Sequence, residues 1–342
     1  MKNIVVCFDS TPPSATAGPT NVAALRALLD DTTDQPGWYH PGLPASGWPA
    51  PGRRRAIAEA RAGVLDAYRY LAGAWRPGDR IHLFGAGRGA YCARALTRLL
   101  GTVGLPGDAA VPVLDYVLAT YALPRTTRTP QEWRRVRRLT ARLAGRDEAA
   151  VPVHYLGLWD TLPVAGLPRL SGAELPTNVG TARHAVAIDG RPATEPLTDT
   201  APGRIEQVWF RGSHRDITGD PGASRPLAGI ALDWVLDGAE RAGLALRPQR
   251  PAPVEFDALA GSVRPLALRR LPRGAAVHAS VRLYVHQHPQ YWRRLPVRFD
   301  WADLDWAARG ERLAAAAPPA GPVPAARPAA ALATPALAVA HR

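Results

Sequence analysis

Residues 79–101 most constrain what this chain can fold into. Asp79-Arg80-Ile81-His82-Leu83-Phe84 is a short apolar run entered from a Pro77-Gly78 turn. Gly85-Ala86-Gly87-Arg88-Gly89-Ala90 follows, and then Tyr91 to Leu100 at helical spacing, closed by Gly101. A strand, a tight glycine-rich turn and a helix make the frame of the nucleophile elbow G-x-S-x-G. The position that would carry the serine is Gly87. Gly85, Gly87 and Ala90 also satisfy the dinucleotide fingerprint G-x-G-x-x-[GA], which needs an acidic residue about 20 positions on, after a further strand. The candidate is Asp108, which follows a Pro106-Gly107 turn with no strand before it. A strand and two helices also precede the motif, whereas the fingerprint usually opens its domain. The dinucleotide reading is therefore the remote one.

Other strand ends carry chemistry. Lys2 to Phe8 reads as a buried strand delivering Asp9-Ser10-Thr11, and Thr20 is a candidate N-cap for the helix that follows. Val153 to Trp159 is a strand ending in Asp160-Thr161. Gln207 to Phe210 is another, followed by Gly212-Ser213-His214-Arg215-Asp216. Ligands and catalytic groups collect beyond the carboxyl ends of strands in doubly wound sheets. The order Gly87, Asp160, His214 is that of nucleophile, acid and base in an α/β-hydrolase. The expected fold is an α/β-hydrolase-like, doubly wound, mostly parallel sheet.

The ordered blocks Val6–Thr11, Thr20–Val22, Ala67–Leu71, Pro77–Ile81, Leu83–Ala90, Leu158–Thr161, His184–Asp189 and Gln207–Asp216 resemble a known family. Its members are bacterial α/β-hydrolase-like proteins related to the catalytic domain of type VI secretion phospholipase effectors. The resemblance reaches about residue 300. It implies Asp160 and His214 as triad acid and base, and backbone amides near Ser10 and Arg88 as an oxyanion hole. Asp9, Thr11 and Asp216 would border the same cleft. It also implies a lipid or acyl ester as ligand.

The departures from the family pattern cluster at the site. Gly-Phe-Ser-Arg-Gly is replaced by Gly85-Ala86-Gly87-Arg88-Gly89, and Asp-Gly-Thr by Asp9-Ser10-Thr11. The glycine run after the histidine is replaced by Ile217-Thr218-Gly219-Asp220, and an early Gly-Val-Gly-Thr by Gly42-Leu43-Pro44-Ala45. An acyl-enzyme mechanism needs an oxygen deprotonated by the histidine, and glycine has none. The expectation is a pseudoenzyme. The alternative is an ester or phospholipid hydrolase with a nonstandard nucleophile. Ser10 and Ser213 are the available hydroxyls, read more simply as loop caps. His214, Asp216 and Asp220 lack the further spaced ligands of a metal centre, and no metal or cofactor is expected.

Composition fits one large core. The chain has 342 residues, 46% of them hydrophobic, and two cysteines, Cys7 and Cys92, read as buried thiols. The net charge of +13 is almost wholly arginine, because Lys2 is the only lysine. No zinc spacing or recognition motif accompanies it, so no specific nucleic acid is expected. Thr129-Pro130-Gln131-Glu132 reads as a capping box. From there Trp133, Val136, Leu139 and Leu143 share one face, with Arg134, Arg135, Arg138 and Arg142 largely elsewhere. An ordinary cap helix with a solvated basic face explains this pattern, and peripheral membrane contact through residues 130–144 is the second reading. No targeting signal or membrane span is visible, so cytoplasmic synthesis is expected, with leaderless export left open by the resemblance.

The organisation expected is one domain over residues 1–306, with a helical cap insertion at about 103–150. Helices are expected near Arg55–Ala74 and Leu227–Ala242, and one or two strands near Val277–His286. Residues 307–342 are Ala/Pro-rich and are expected to be a disordered tail.

Overall fold

Strands buried on both faces read as continuous apolar runs, because neither side meets water. Among the described residues, the computed structural model has eight strands, of which the central ones follow this pattern: β1 (Asn3–Phe8), β2 (Gly37–His40), β3 (Arg80–Ala86), β4 (Val153–Trp159), β5 (Val179–Ala187), β6 (Ile205–Phe210), β7 (Ala275–His278) and β8 (Phe299–Ala302). It describes residues 1–12, 18–30, 32–43, 50–105, 129–143, 148–165, 167, 177–190, 194–197, 203–247 and 269–307. The expectations for Asp108, for most of the 103–150 insertion and for the 307–342 tail lie outside those residues, apart from Ala307.

The strands form one sheet in the order β2-β1-β3-β4-β5-β6-β7-β8. Every neighbouring pair is parallel. Among the described residues, seven α-helices accompany it: α1 (Asn21–Leu28), α2 (Ala50–Ala74), α3 (Gly87–Thr102), α4 (Pro130–Leu143), α5 (His214–Thr218), α6 (Arg225–Arg241) and α7 (Ala279–Gln287). Val64, Tyr68 and Leu71 of α2, Leu96 and Leu100 of α3 and Val136 of α4 cover one face with Ile4, Val6, Leu83 and Leu156. Val22 and Leu25 of α1 and Ile230, Trp234 and Val235 of α6 cover the other with Val5, Phe84 and Trp159. The alternation along β1, Val5 to one core and Val6 to the other, follows from the period of two in a strand.

The helix starts follow local chemistry. Thr20 Oγ1 accepts the Ala23 amide at 3.0 Å and caps α1. At α4, Glu132 accepts the Thr129 amide at 2.6 Å while Thr129 Oγ1 accepts the Glu132 amide at 3.3 Å, a reciprocal capping box. The stretch near Val277–His286 differs from the sequence expectation: β7 stops at His278 and residues 279–287 are helical. His278 Nδ1 accepts the Ser280 amide at 3.2 Å as an N-cap, and Val281 and Val285 bury one face at helical spacing. The valines suggested strand, and burial of Val281 and Val285 on one face at helical spacing decided for helix.

The chain leaves β1 for β2 on one side and returns past β1 to β3 on the other. This reversal opens a crevice beyond the carboxyl ends of β1 and β3, where Ser10 and Gly87 sit.

Candidate active site

The turn from β3 into α3 is built by its glycines. A side chain at Gly89 would lie 2.3 Å from the Asp9 carbonyl oxygen, and one at Gly85 would lie 2.6 Å from the Ala90 Cα. Both glycines are therefore demanded by close backbone approach. Gly87 differs. Its φ of +53° is the left-handed conformation of a sharp elbow, and its carbonyl accepts the Leu162 amide at 2.9 Å.

Opposite Gly87 stands an Asp–His pair. Asp160 follows β4 with φ +40°, a strained value for a residue with a side chain. Its amide donates to the Ala185 carbonyl at 2.7 Å, and its Oδ1 accepts the Ala187 amide at 3.1 Å. Asp160 Oδ2 accepts from His214 Nδ1 at 2.7 Å. With Nδ1 as donor, Nε2 faces the cleft. A Cβ at residue 87 would lie 3.1 Å from His214 Nε2. His214 opens α5, and Ser213 before it donates both its amide and its hydroxyl to Asp216 at 2.8 Å.

Asp160 is fully buried, and a third group holds its charge. Arg269 donates to both carboxylate oxygens, with Nη2 to Oδ2 at 3.0 Å, and also to the Ala187 carbonyl at 3.1 Å. Burial alone would raise the Asp160 pKa. The Arg269 guanidinium, followed by the His214 hydrogen bond, overcomes burial and holds the carboxyl well below the usual carboxylate range.

The end of β1 forms the other wall. The Ser10 amide donates to Asp9 Oδ1 at 2.7 Å, so that amide already has an acceptor within its own loop. Asp9 lies beneath the cleft, and its Oδ2 also accepts from Thr20 at 2.6 Å and Tyr39 at 2.7 Å. Burial pushes the Asp9 carboxyl up against those hydrogen bonds, and the charge of Asp220 adds to the rise. Ser10 Oγ donates to Asp220 Oδ1, and Asp220 Oδ2 is 3.7 Å from His214 Nε2. Ser10, Thr11, Arg88, Leu162, His214, Arg215, Asp220 and Pro221 line a cleft of about 460 Å³.

The structure thus brings Gly87, Asp160, His214, Ser10, Thr11 and Arg88 to one place. The Arg88 guanidinium turns away to donate to the Leu43 carbonyl at 2.8 Å. Asp216 is buried behind the cleft, where it also accepts the Ser224 amide at 2.7 Å and ties the loop after α5 to the start of α6. Two site residues escaped the sequence reading. Arg269 is one arginine among many, with no motif around it. Asp220 enters the sequence reading as a dismissed metal ligand, and only its distance from His214 marks it. Among the described residues no three His, Cys, Asp or Glu side chains gather as a metal site. Among them, too, no helix is long and apolar enough to cross a membrane.

Residues 2–238 match the family model described as "T6SS, Phospholipase effector Tle1-like, catalytic domain". An uncharacterized protein of Saccharomyces cerevisiae, YEL023C, is 30% identical over an alignment of 214 residues that covers 56% of this chain. The chain spans only 31% of that relative's length. The similarity therefore extends beyond bacteria, to which the sequence reading had confined it. Among solved structures, a Tle1 effector bound to the VgrG spike of the type VI secretion system is 11% identical, with TM-score 0.47. The alignment covers 73% of this chain and 74% of that one. An esterase of Thermogutta terrifontis is 13% identical with TM-score 0.33, covering 72% of this chain and 85% of its own.

Proposed function

Because this chain belongs to the family of type VI secretion phospholipase effector Tle1-like catalytic domains, we propose that it is a hydrolase-fold protein that has lost nucleophilic catalysis. One observation carries this reading: the elbow position facing His214 Nε2 is Gly87, which has no oxygen to deprotonate. Asp160 and His214 retain the arrangement of a triad's acid and base, with Asp160 fixing the imidazole so that Nε2 faces the elbow. The first-turn amide of Arg88 remains the better-placed oxyanion donor, since the Ser10 amide is occupied by Asp9. The retained cleft would then bind a lipid or acyl group without turning it over. Peripheral contact with an anionic membrane through residues 130–144 fits the exposed arginines and the half-exposed Leu139 of α4, which is 54% exposed.

Loss of the serine alone removes about a millionfold of turnover in a serine protease. Hydrolysis of a panel of carboxylic esters and phospholipids by the native chain should therefore equal that of its His214→Ala variant. Turnover by the native chain that His214→Ala abolishes would refute the reading and require another nucleophile.

A further inference from the structure

The side-chain space beside Gly87 is already occupied. A Cβ at residue 87 would meet His214 Nε2 at 3.1 Å on one side and Ser10 Cβ at 3.3 Å on the other. Ser10, one of the two residues such a side chain would meet, donates its hydroxyl to Asp220. We infer that Asp220, held by Ser10, has taken the nucleophile's place opposite His214, and that this clasp bars acyl chemistry independently of the missing serine. The inference rests on the reading of the site given above and adds a second lock to it.

Asp220 is held in place by its backbone. Gly219 ends α5 with φ +74°, and a side chain there would lie 2.8 Å from the Asn21 amide nitrogen. The Asp220 amide then donates to the Arg215 carbonyl at 3.1 Å, and its own carbonyl accepts the Ala223 amide at 2.9 Å. The carboxylate so placed is mostly buried, at 15% side-chain exposure, and has Ser10 Oγ on one oxygen and His214 Nε2 facing the other. Attack by a serine oxygen sends its proton to Nε2 and builds negative charge on the attacked centre. A carboxylate beside Nε2 obstructs the first event by occupying the space through which a hydroxyl would reach that nitrogen, and opposes the second by like charge.

A fluorophosphonate probe tests this without knowledge of the substrate. The hydroxyl oxygen attacks phosphorus, fluoride leaves, and the proton passes to His214. Four full-length proteins are compared: the native chain, Gly87→Ser, Gly87→Ser with Asp220→Asn, and Gly87→Ser with Asp220→Ala. Labelling is followed in time and mapped by peptide mass. The Asn variant is nearly isosteric and keeps an acceptor for Ser10, so it isolates charge from shape. The expected result is slow labelling of Gly87→Ser, with each double variant about tenfold or more faster at residue 87. Equal rates for the single and double variants would overturn the clasp, as would silence from both double variants that unfold in urea like the native chain. Labelling of the native chain at Ser10 would instead overturn the proposed loss of catalysis.

Discussion

His214 and Asp160 could be found from sequence because each lies within four residues of a strand's carboxyl end, and strand ends announce themselves. Arg269, which fixes the charge of Asp160, could not, since arginine is common in this chain and no pattern surrounds residue 269. Its pair with Asp160 is buried, with side-chain exposures of 3% and 0%. Removing one partner of a buried pair strands the other charge and costs about 3 to 5 kcal/mol. Arg269→Ala should lose that much in urea unfolding, while an exposed control such as Arg55→Ala, paired only with Glu59 at the surface, should lose under about 1 kcal/mol. His184 supplies a pH signature. It accepts the Thr161 amide at Nε2, 3.2 Å away, with Nδ1 3.0 Å from Gln207 Oε1. Burial, helped by the charge of Arg94, pushes its pKa down from 6.5 to about 4. The unfolded chain therefore takes up the proton first as pH falls. His184 stabilises the fold above pH 6.5, and that contribution is lost between 6.5 and about 4, on the order of 3 kcal/mol in all. Urea midpoints across this window should fall with pH, and His184→Gln should flatten the slope. An unchanged slope in the variant would assign the pH dependence elsewhere.

At the level of elements, the β3–α3 turn shows how one glycine-rich run serves several ends. Gly89 lies against the Phe8 and Asp9 carbonyls of a neighbouring strand, and backbone cannot move aside. Gly87 faces the His214 ring and the Ser10 side chain, which can. Gly89→Ala should thus cost more than about 3 kcal/mol, a severe case of overpacking. Gly87→Ala should cost only the about 1 to 2 kcal/mol of a left-handed conformation. Thermal unfolding of both variants orders them, and equal losses would contradict this account of the elbow. Sequence showed the strand, turn and helix here, but not which glycine was needed for which reason. Near residues 279–286 it mistook a helix for strand, because a short run with spaced valines fits either period until a partner surface is known. It also passed over β2 and β8, four-residue edge strands that are largely half-exposed and carry little apolar signal.

Over the whole molecule, the sheet decides which residues become neighbours. Residues 9–79, 71 in all, separate β1 from β3, yet the two strands pair in register from Asn3 with Arg80 to Phe8 with Gly85. That register sets Ser10 beside Gly87. β4 pairs next to β3, which places Asp160 within reach of the same crevice. The loops after β6 and α5 bring His214 and Asp220 over it. The sequence by itself determined the α/β class, the principal strands and helices, the elbow and its missing oxygen, because period and turn chemistry are local. Only the tertiary structure decided that Arg269 neutralises Asp160, that the Ser10 amide is taken, and that Asp220 faces His214. These are contacts across 109, 1 and 6 residues respectively, and even the shortest depend on side-chain directions that the surrounding strands impose.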